Sequence, residues 1–430
     1  MDSCSEFTDF QRRFINLLSY VQVSLTTVEK NANGEYVLVP AGWIRTILYI
    51  LLASNTIFKC IYLLLLVFGY YGPIEFLDMM SSLLWLLMCV EILQELLFYV
   101  QTYPLFEVLA NLWKLENQIY QKLGKPMDLT KNSKFSHTYT LILHTLILVI
   151  GCIMIGGQFL SDPKYAVYTY SAFKRDNNWL LVIFTIHEVC FMWQAWTGYL
   201  SIVTISSLNA VELTYILDGM SRAMKAMKAN FPLRMEDMKE TKIIPRANRV
   251  WDMDLGSLLT MKQQKIPRKT RQVVEYRSSY NIETLLSDYE RLMLASDLLN
   301  GWCSYRIVGV HCIGYIQFIT DVFMMIRILR LTDLDIATVM WYGEDAAACL
   351  YMIFRMFSLM SRVTPASENF MREFQHFLQF ENPMRKSLIK VSRTLRLVCL
   401  RLGPSAVRRS TVGAAVMLLM NYYLCVALWK

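Results

Sequence analysis

Seven runs of about 20 or more predominantly apolar residues recur along the chain: Ile44–Phe68, Phe76–Val100, Ser136–Leu160, Trp179–Ile205, Ser304–Ile326, Ala337–Ser361 and Thr411–Trp429, within a few residues at each boundary. A helix of that length spans the roughly 30 Å hydrocarbon core of a bilayer. The pattern predicts an all-α fold, a seven-transmembrane-helix bundle.

The polar stretches between the runs are not all plain loops. After the fourth run, NAVELTYILDGMSRAMKAMKANF continues without Pro or another stop, so that helix is expected to extend beyond the membrane. Before the fifth, Ile282, Leu285, Tyr289, Leu292, Ser296 and Leu299 recur at three- and four-residue spacing, which predicts a helix leading into the span. Residues 232–275 hold Pro232, Pro245 and Pro267 among many charges, the composition of a mobile linker. In the sixth connection Leu388, Val391, Leu395, Val398 and Leu402 are spaced 3, 4, 3 and 4 apart. That heptad-like seam, with Lys390, Arg393, Arg396 and Arg401 off it, predicts helix packing against the extensions or against other subunits. A basic interfacial helix is the alternative. The chain thus divides into a cytosolic N-terminal segment (1–43), helices 1–4 (44–205), cytosolic extensions and linker (206–303), helices 5–6 (304–361), cytosolic anchor helices (362–410) and helix 7 (411–430).

Charge sets the orientation. Alternate connections carry 3, 5, 15 and 10 Lys and Arg on one side, against 0, 3, 2 and 1 on the other. Setting aside the long fourth connection, where the positive-inside rule is weak, leaves 18 against 6. The topology is therefore expected to be inverted, with a cytosolic N-terminus, an extracellular C-terminus and a plasma-membrane location. Composition agrees with a membrane protein. The chain is 55% hydrophobic with mean hydropathy +0.32, and 18% of residues are charged, against about 25% in soluble domains. The net charge of +8 reads as cytosolic-face bias rather than nucleic-acid binding. None of the ten cysteines forms a C-x-x-C pair or falls in a segment placed outside, so neither a metal site nor an external disulfide is expected. No basic region followed by an apolar stretch precedes Trp43, so no cleavable signal is expected.

Charged and polar groups inside spans are costly and therefore informative. Depth sorts them at about 1.5 Å per residue. Asp78, Gln158, His187, Gln317, Asp321, Trp341, Tyr342, Glu344 and Asp345 fall in the outer half, where they can line a cavity with aromatic walls and a few polar anchors. The alternative is that they pair with one another or with headgroups. Glu91, Glu95, Arg306 and Arg355 lie deeper and read as structural ion pairs. His187-Glu188 begins like a zinc-protease H-E-x-x-H motif, but Phe191 stands where the second His belongs, and no phosphate-binding loop is present. No enzyme activity and no cofactor are expected. In the seventh run Asn421, Leu424, Cys425 and Leu428 share one face, a narrow stripe that can gate a pore by dewetting if several subunits contribute one helix each. An ordinary packed helix is the alternative.

At these residues the chain resembles the insect and arthropod gustatory receptors of the insect chemoreceptor superfamily. In that family a G-F-F-x-V-x-R-like stretch precedes the last span, which ends T-Y-x-x-x-x-x-Q-F. Here the stretch is Gly403 to Arg409, GPSAVRR, and the span ends NYYLCVALW. Tyr422 falls at the family Tyr, while Asn421 replaces Thr, Leu428 replaces Gln and Trp429 replaces Phe. The lead-in YERLMLASDLLNGWCSYRIVGVHCIGYIQF, including Asn300, is similar to the family's approach to its fifth span. The resemblance implies an inverted seven-span subunit of a homotetramer or heterotetramer. The last helices would line a cation pore, and a small-molecule tastant, such as a sugar or a bitter compound, would bind in the outer half. The related odorant receptors are the alternative branch. A G-protein-coupled receptor fits less well: the third span has no D-R-Y-like end and the seventh no N-P-x-x-Y.

Overall fold

The fold comes from a computed structural model. It describes residues 26–30, 36–40, 42–73, 75–100, 129–173, 177–240, 281–330, 336–378, 385–402 and 404–411, with parts of 111–122 and 413–421. Helices α1 (Trp43–Val67), α2 (Phe76–Val100), α3 (Leu129–Ser161), α4 (Asn178–Glu240), α5 (Ile282–Leu329) and α6 (Ile336–Leu378) form the bundle, and α7 (Arg385–Thr394) packs at one end. Five described helices are long and apolar enough to cross a membrane. The architecture is that of a multi-pass, helical membrane bundle. Large apolar side chains such as Trp43, Ile47, Leu51 and Phe58 stay exposed on α1, as a lipid-facing surface requires.

Local chemistry explains the boundaries. α1 stops where Gly69 adopts φ +75, a conformation costly for any residue with a Cβ, and the Gly69 and Tyr70 amides donate to Leu66 and Leu65 carbonyls. α5 starts at Asn281, whose side chain accepts from the Thr284 amide at 2.7 Å, an N-cap that frees α5 to run for 48 residues. The expected extension of the fourth span and lead-in to the fifth are each continuous with their spans, in α4 and α5. α4 passes through Pro232 to Glu240, beyond the residue where a linker was expected to begin; residues 241–280 lie outside the described set. α6 likewise runs through Pro365 to Leu378.

These extensions form a stem at one end of the bundle. Leu213, Leu217 and Met220 of α4 meet Leu285, Tyr289 and Leu292 of α5 and Phe370 and Phe374 of α6, all fully buried. Tyr289 stacks on Phe370 at 4.4 Å. Helical residues near 111–122 lie on the stem with Leu112, Glu116 and Ile119 on one buried face, and Lys122 reaches Asp288 at 2.8 Å. Burial, together with neighbouring Glu212, holds the Glu116 carboxyl well above the usual carboxylate range.

The heptad-like seam is half right. Leu388, Leu395 and Val398 are buried as the spacing implied, but the helix ends at Thr394 and the chain continues extended into a tight hairpin of Arg401–Leu402 with Ser405–Ala406. Side chains of α5 and α6 satisfy the extended backbone in place of helical bonds. Tyr289 and Asn300 donate to the Arg396 and Cys399 carbonyls at 2.9 and 2.7 Å, and Asn300 Oδ1 accepts from the Arg401 amide at 2.9 Å. The Val398 amide donates to Ser367 at 2.9 Å. A second feature is absent from the sequence expectation: Thr26–Lys30 and Tyr36–Pro40 pair as an antiparallel hairpin.

Candidate functional site

Between the stem and the loop-side helix ends, α2, α4, α5 and α6 converge on a small cavity lined by Met88, Ala195, Trp196, Tyr199, Gln317 and Cys349. The space between these side chains is about 10 Å³, barely room for one water molecule. Two glycines set the position of its aromatic walls. The Gly151 Cα–H face of α3 lies against the Trp196 indole, where a Cβ would stand 3.2 Å from Nε1. Gly314 of α5 leaves room for Tyr199: a methyl there would overlap the hydroxyl and stand 3.2 and 3.3 Å from Cζ and Cε2. Trp196 and Tyr199 meet edge to face at 6.4 Å.

One amide supplies the polar anchor. Gln317 Nε2 donates to Asp345 Oδ2 at 2.6 Å, so α5 and α6 are tied directly behind the cavity. Asp321 is fully buried beside Asp345, and neither Asp321 oxygen has a hydrogen-bond partner among the described residues.

A layer of aromatic rings closes the cavity on the loop side. Counting inward along α2, Trp85 comes one turn before Met88; along α4, Phe191 comes one turn before Ala195. These two rings stack at 5.4 Å. Over them lies the Lys59 ammonium of α1, 4.7 Å from the Trp85 ring. Lys59 and Glu188 are both fully buried. The ammonium donates to both Glu188 oxygens at 2.7 Å and to the Val167 carbonyl at 2.9 Å, so all three of its protons are used. Next to it, His187 Nδ1 contacts Asn55 Oδ1 and its Nε2 meets Thr169 Oγ1 at 3.2 Å.

The residues expected to form one outer pocket do not all meet. Only Gln317 lines the cavity. Asp345 and Asp321 lie immediately behind it, and Glu344 is half-buried next to Asp345. Tyr342 is buried one layer outward, 3.5 Å from Ser81, and Trp341 is core. His187 belongs to the Lys59–Glu188 network rather than to the cavity wall. Asp78 and Gln158 are half-buried near the loop-side ends of α2 and α3, away from the lining. The reason is depth. Helix ends carry polar residues near the headgroups, whereas the cavity sits about 18 Å along α2, α5 and α6 from those ends. Of the deeper set, Arg306 is buried and Arg355 half-buried; the side chains of Glu91 and Glu95 lie outside the described residues. Asn421 is helical and exposed, and Leu424, Cys425 and Leu428 lie outside the described residues. Sequence reasoning passed over Lys59, although the rule for charges inside spans singles it out. It also passed over Met88, Ala195, Trp196, Tyr199 and Cys349, which carry no signal separating them from ordinary core.

No protein-family model matches this sequence, and no curated protein matches it. Solved structures do match by fold. The insect olfactory receptor OR5 from Machilis hrabei in complex with eugenol aligns over 98% of this chain and 99% of its own, with TM-score 0.67 and 10% identity. The structure of the same receptor described without a ligand aligns over 97% and 98%, with TM-score 0.65 and 10% identity. The chain thus has the fold of an insect olfactory receptor along nearly its whole length.

Proposed function

We propose that this protein is a chemosensory receptor subunit acting as a ligand-gated cation channel. The single observation that carries the reading is the end-to-end fold likeness to a receptor solved with a small aromatic molecule, in a chain with an aromatic-walled internal cavity. The charge asymmetry supports a cytosolic stem and N-terminus, which puts the cavity's aromatic cover on the extracellular side.

The ligand is a small, mostly apolar molecule. The cavity offers two aromatic faces, a thioether, a thiol and one amide, and that amide is already committed to Asp345. A sugar needs several polar partners to replace its water, which this lining lacks. Eugenol is the first probe, since the structural neighbour is described with it. The motif around Gly403–Arg409 and Tyr422 supports the gustatory branch, and the fold likeness is to an olfactory receptor. Gating follows if the ligand binds the open arrangement more tightly than the closed one. Four subunits, identical or related, would each contribute a last helix to a pore lined by Asn421, Leu424, Cys425 and Leu428.

Tagging each terminus and testing antibody access with and without permeabilisation tests the orientation. The N-terminal tag is expected to require permeabilisation and the C-terminal tag not to. An N-terminal tag reached on intact cells would overturn the reading.

A further inference from the structure

The connection between α3 and α4 crosses the loop-side mouth of the bundle, and its described part, residues 162–173, is built as a strap. Its own turns are local: Tyr165, Tyr168, Ser171 and Phe173 amides donate to the carbonyls of Asp162, Tyr165, Tyr168 and Tyr170. Those bonds survive if the strap leaves the bundle. Its fastenings to the bundle are of another kind. Among the described residues no backbone ladder joins it to a helix; it is held by side-chain hydrogen bonds and by the burial of Val167, Tyr168 and Tyr170 in the core. Tyr62 donates to the Ala166 carbonyl at 2.6 Å, Lys59 to Val167, and the Thr169 amide to Glu188 at 3.1 Å. Tyr165 donates to Ser81 at 3.1 Å. Two of these four end on one buried ion pair, Lys59–Glu188.

We propose that the strap is the lid of the cavity and that Lys59–Glu188 is its latch. Tyr168, on the strap, packs edge to face on Trp85 at 6.0 Å, and Trp85 is half of the stacked pair roofing the cavity. Lifting the strap removes Tyr168 from that roof and takes away the Val167 carbonyl that completes the Lys59 coordination. The ion pair then lies at a wet surface, where it holds less tightly. The lid therefore opens in one step, and ligand reaches Trp196 and Gln317 from the strap side rather than between helices from the lipid. The significance for ligand entry rests on reading the cavity as the ligand site; the opening itself does not.

Cys349 on the cavity wall is 1% exposed and gives the readout. The whole chain in nanodiscs is treated with a charged, water-soluble thiol reagent, and labelling of each cysteine is followed by mass spectrometry, with Cys399 in the stem as internal control. Two variants are compared with wild type. Lys59→Met/Glu188→Gln removes both charges while keeping an acceptor for Thr169, a double change that buried pairs tolerate far better than loss of one partner. Tyr62→Phe removes a strap fastening and leaves the ion pair in place. The latch predicts that Cys349 labelling, normalised to Cys399, rises about five- to tenfold in Tyr62→Phe and more in the double variant. If the double variant does not yield folded protein, Tyr62→Phe alone decides. A Cys349 rate unchanged from wild type in the folded variants overturns the lid, and leaves the cavity's own role to be judged by ligand responses.

Discussion

Gly314 is the position where the structure makes its sharpest packing prediction. A methyl group placed on it overlaps the Tyr199 hydroxyl, while the next atoms, Cζ and Cε2, stand at 3.2 and 3.3 Å. Gly314→Ala must therefore push the Tyr199 ring, which is 5% exposed and has the cavity as its nearest free space. Overpacking of this kind costs about 1–3 kcal/mol. Tyr199→Phe alone gives up what the hydroxyl contributes, about 1 kcal/mol. If the two effects were independent, the double variant would be about 2–4 kcal/mol less stable than wild type. The geometry predicts otherwise. Deleting the hydroxyl removes the worst overlap, so Gly314→Ala/Tyr199→Phe should be about as stable as Tyr199→Phe. Thermal denaturation of the purified chain, monitored by size-exclusion fluorescence, gives the four corners of the cycle. Gly314→Ala should also weaken ligand potency by filling the cavity with the displaced ring. A double variant as unstable as the sum of the singles would refute the packing, as would a fully stable Gly314→Ala.

Three further outcomes follow from named contacts. Lys59→Met leaves Glu188 buried without its cation and should cost about 3–5 kcal/mol, seen as loss of folded protein that the added Glu188→Gln largely restores. Asn300→Leu leaves the Cys399 carbonyl only the longer bond from Ser296, at 3.3 Å, and takes the side-chain acceptor from the Arg401 amide; it should cost about 1–3 kcal/mol, with faster protease cleavage near 395–402 as the local signature. Glu116 holds its proton in the folded chain to a higher pH than in the unfolded one, where the ordinary value is 4.5. Its contribution is therefore fully present below about pH 4.5 and is lost as pH rises toward the folded value, by up to about 1.4 kcal/mol per pH unit. Glu116→Gln should abolish that part of the decline, and melting curves across pH 5–8 that superpose for the two proteins would contradict it.

The long apolar runs and their helical continuations were legible because both rest on local pattern. Ile282, Leu285, Tyr289 and Leu292 repeat at helical spacing, and the structure buries all four on α5. The segment after Thr394 was not legible in the same way. Its Leu and Val spacing suits a helix, and what holds it extended is Tyr289, Asn300 and Ser367, about 30 to 110 residues away in sequence. The cavity was legible only through Gln317. Searching spans for polar groups finds acids near helix ends, whereas this wall is made of Met88, Trp196, Tyr199 and Cys349, drawn from three helices that nothing local brings together. Glycine carried a faint signal, since Gly151 and Gly314 interrupt apolar runs where aromatic side chains come close. Lys59 was fully legible as a cation within an apolar run, and its partner Glu188 stood beside the His187 that drew attention instead.

The most direct test of the account is the current evoked by small aromatic molecules, eugenol first, in cells expressing this chain, with Trp196→Ala compared against wild type at matched surface levels. Ligand binding against Trp196 predicts a cation current whose half-maximal concentration moves at least tenfold in Trp196→Ala. An evoked current whose concentration dependence is the same in both, or one carried by anions, would contradict it.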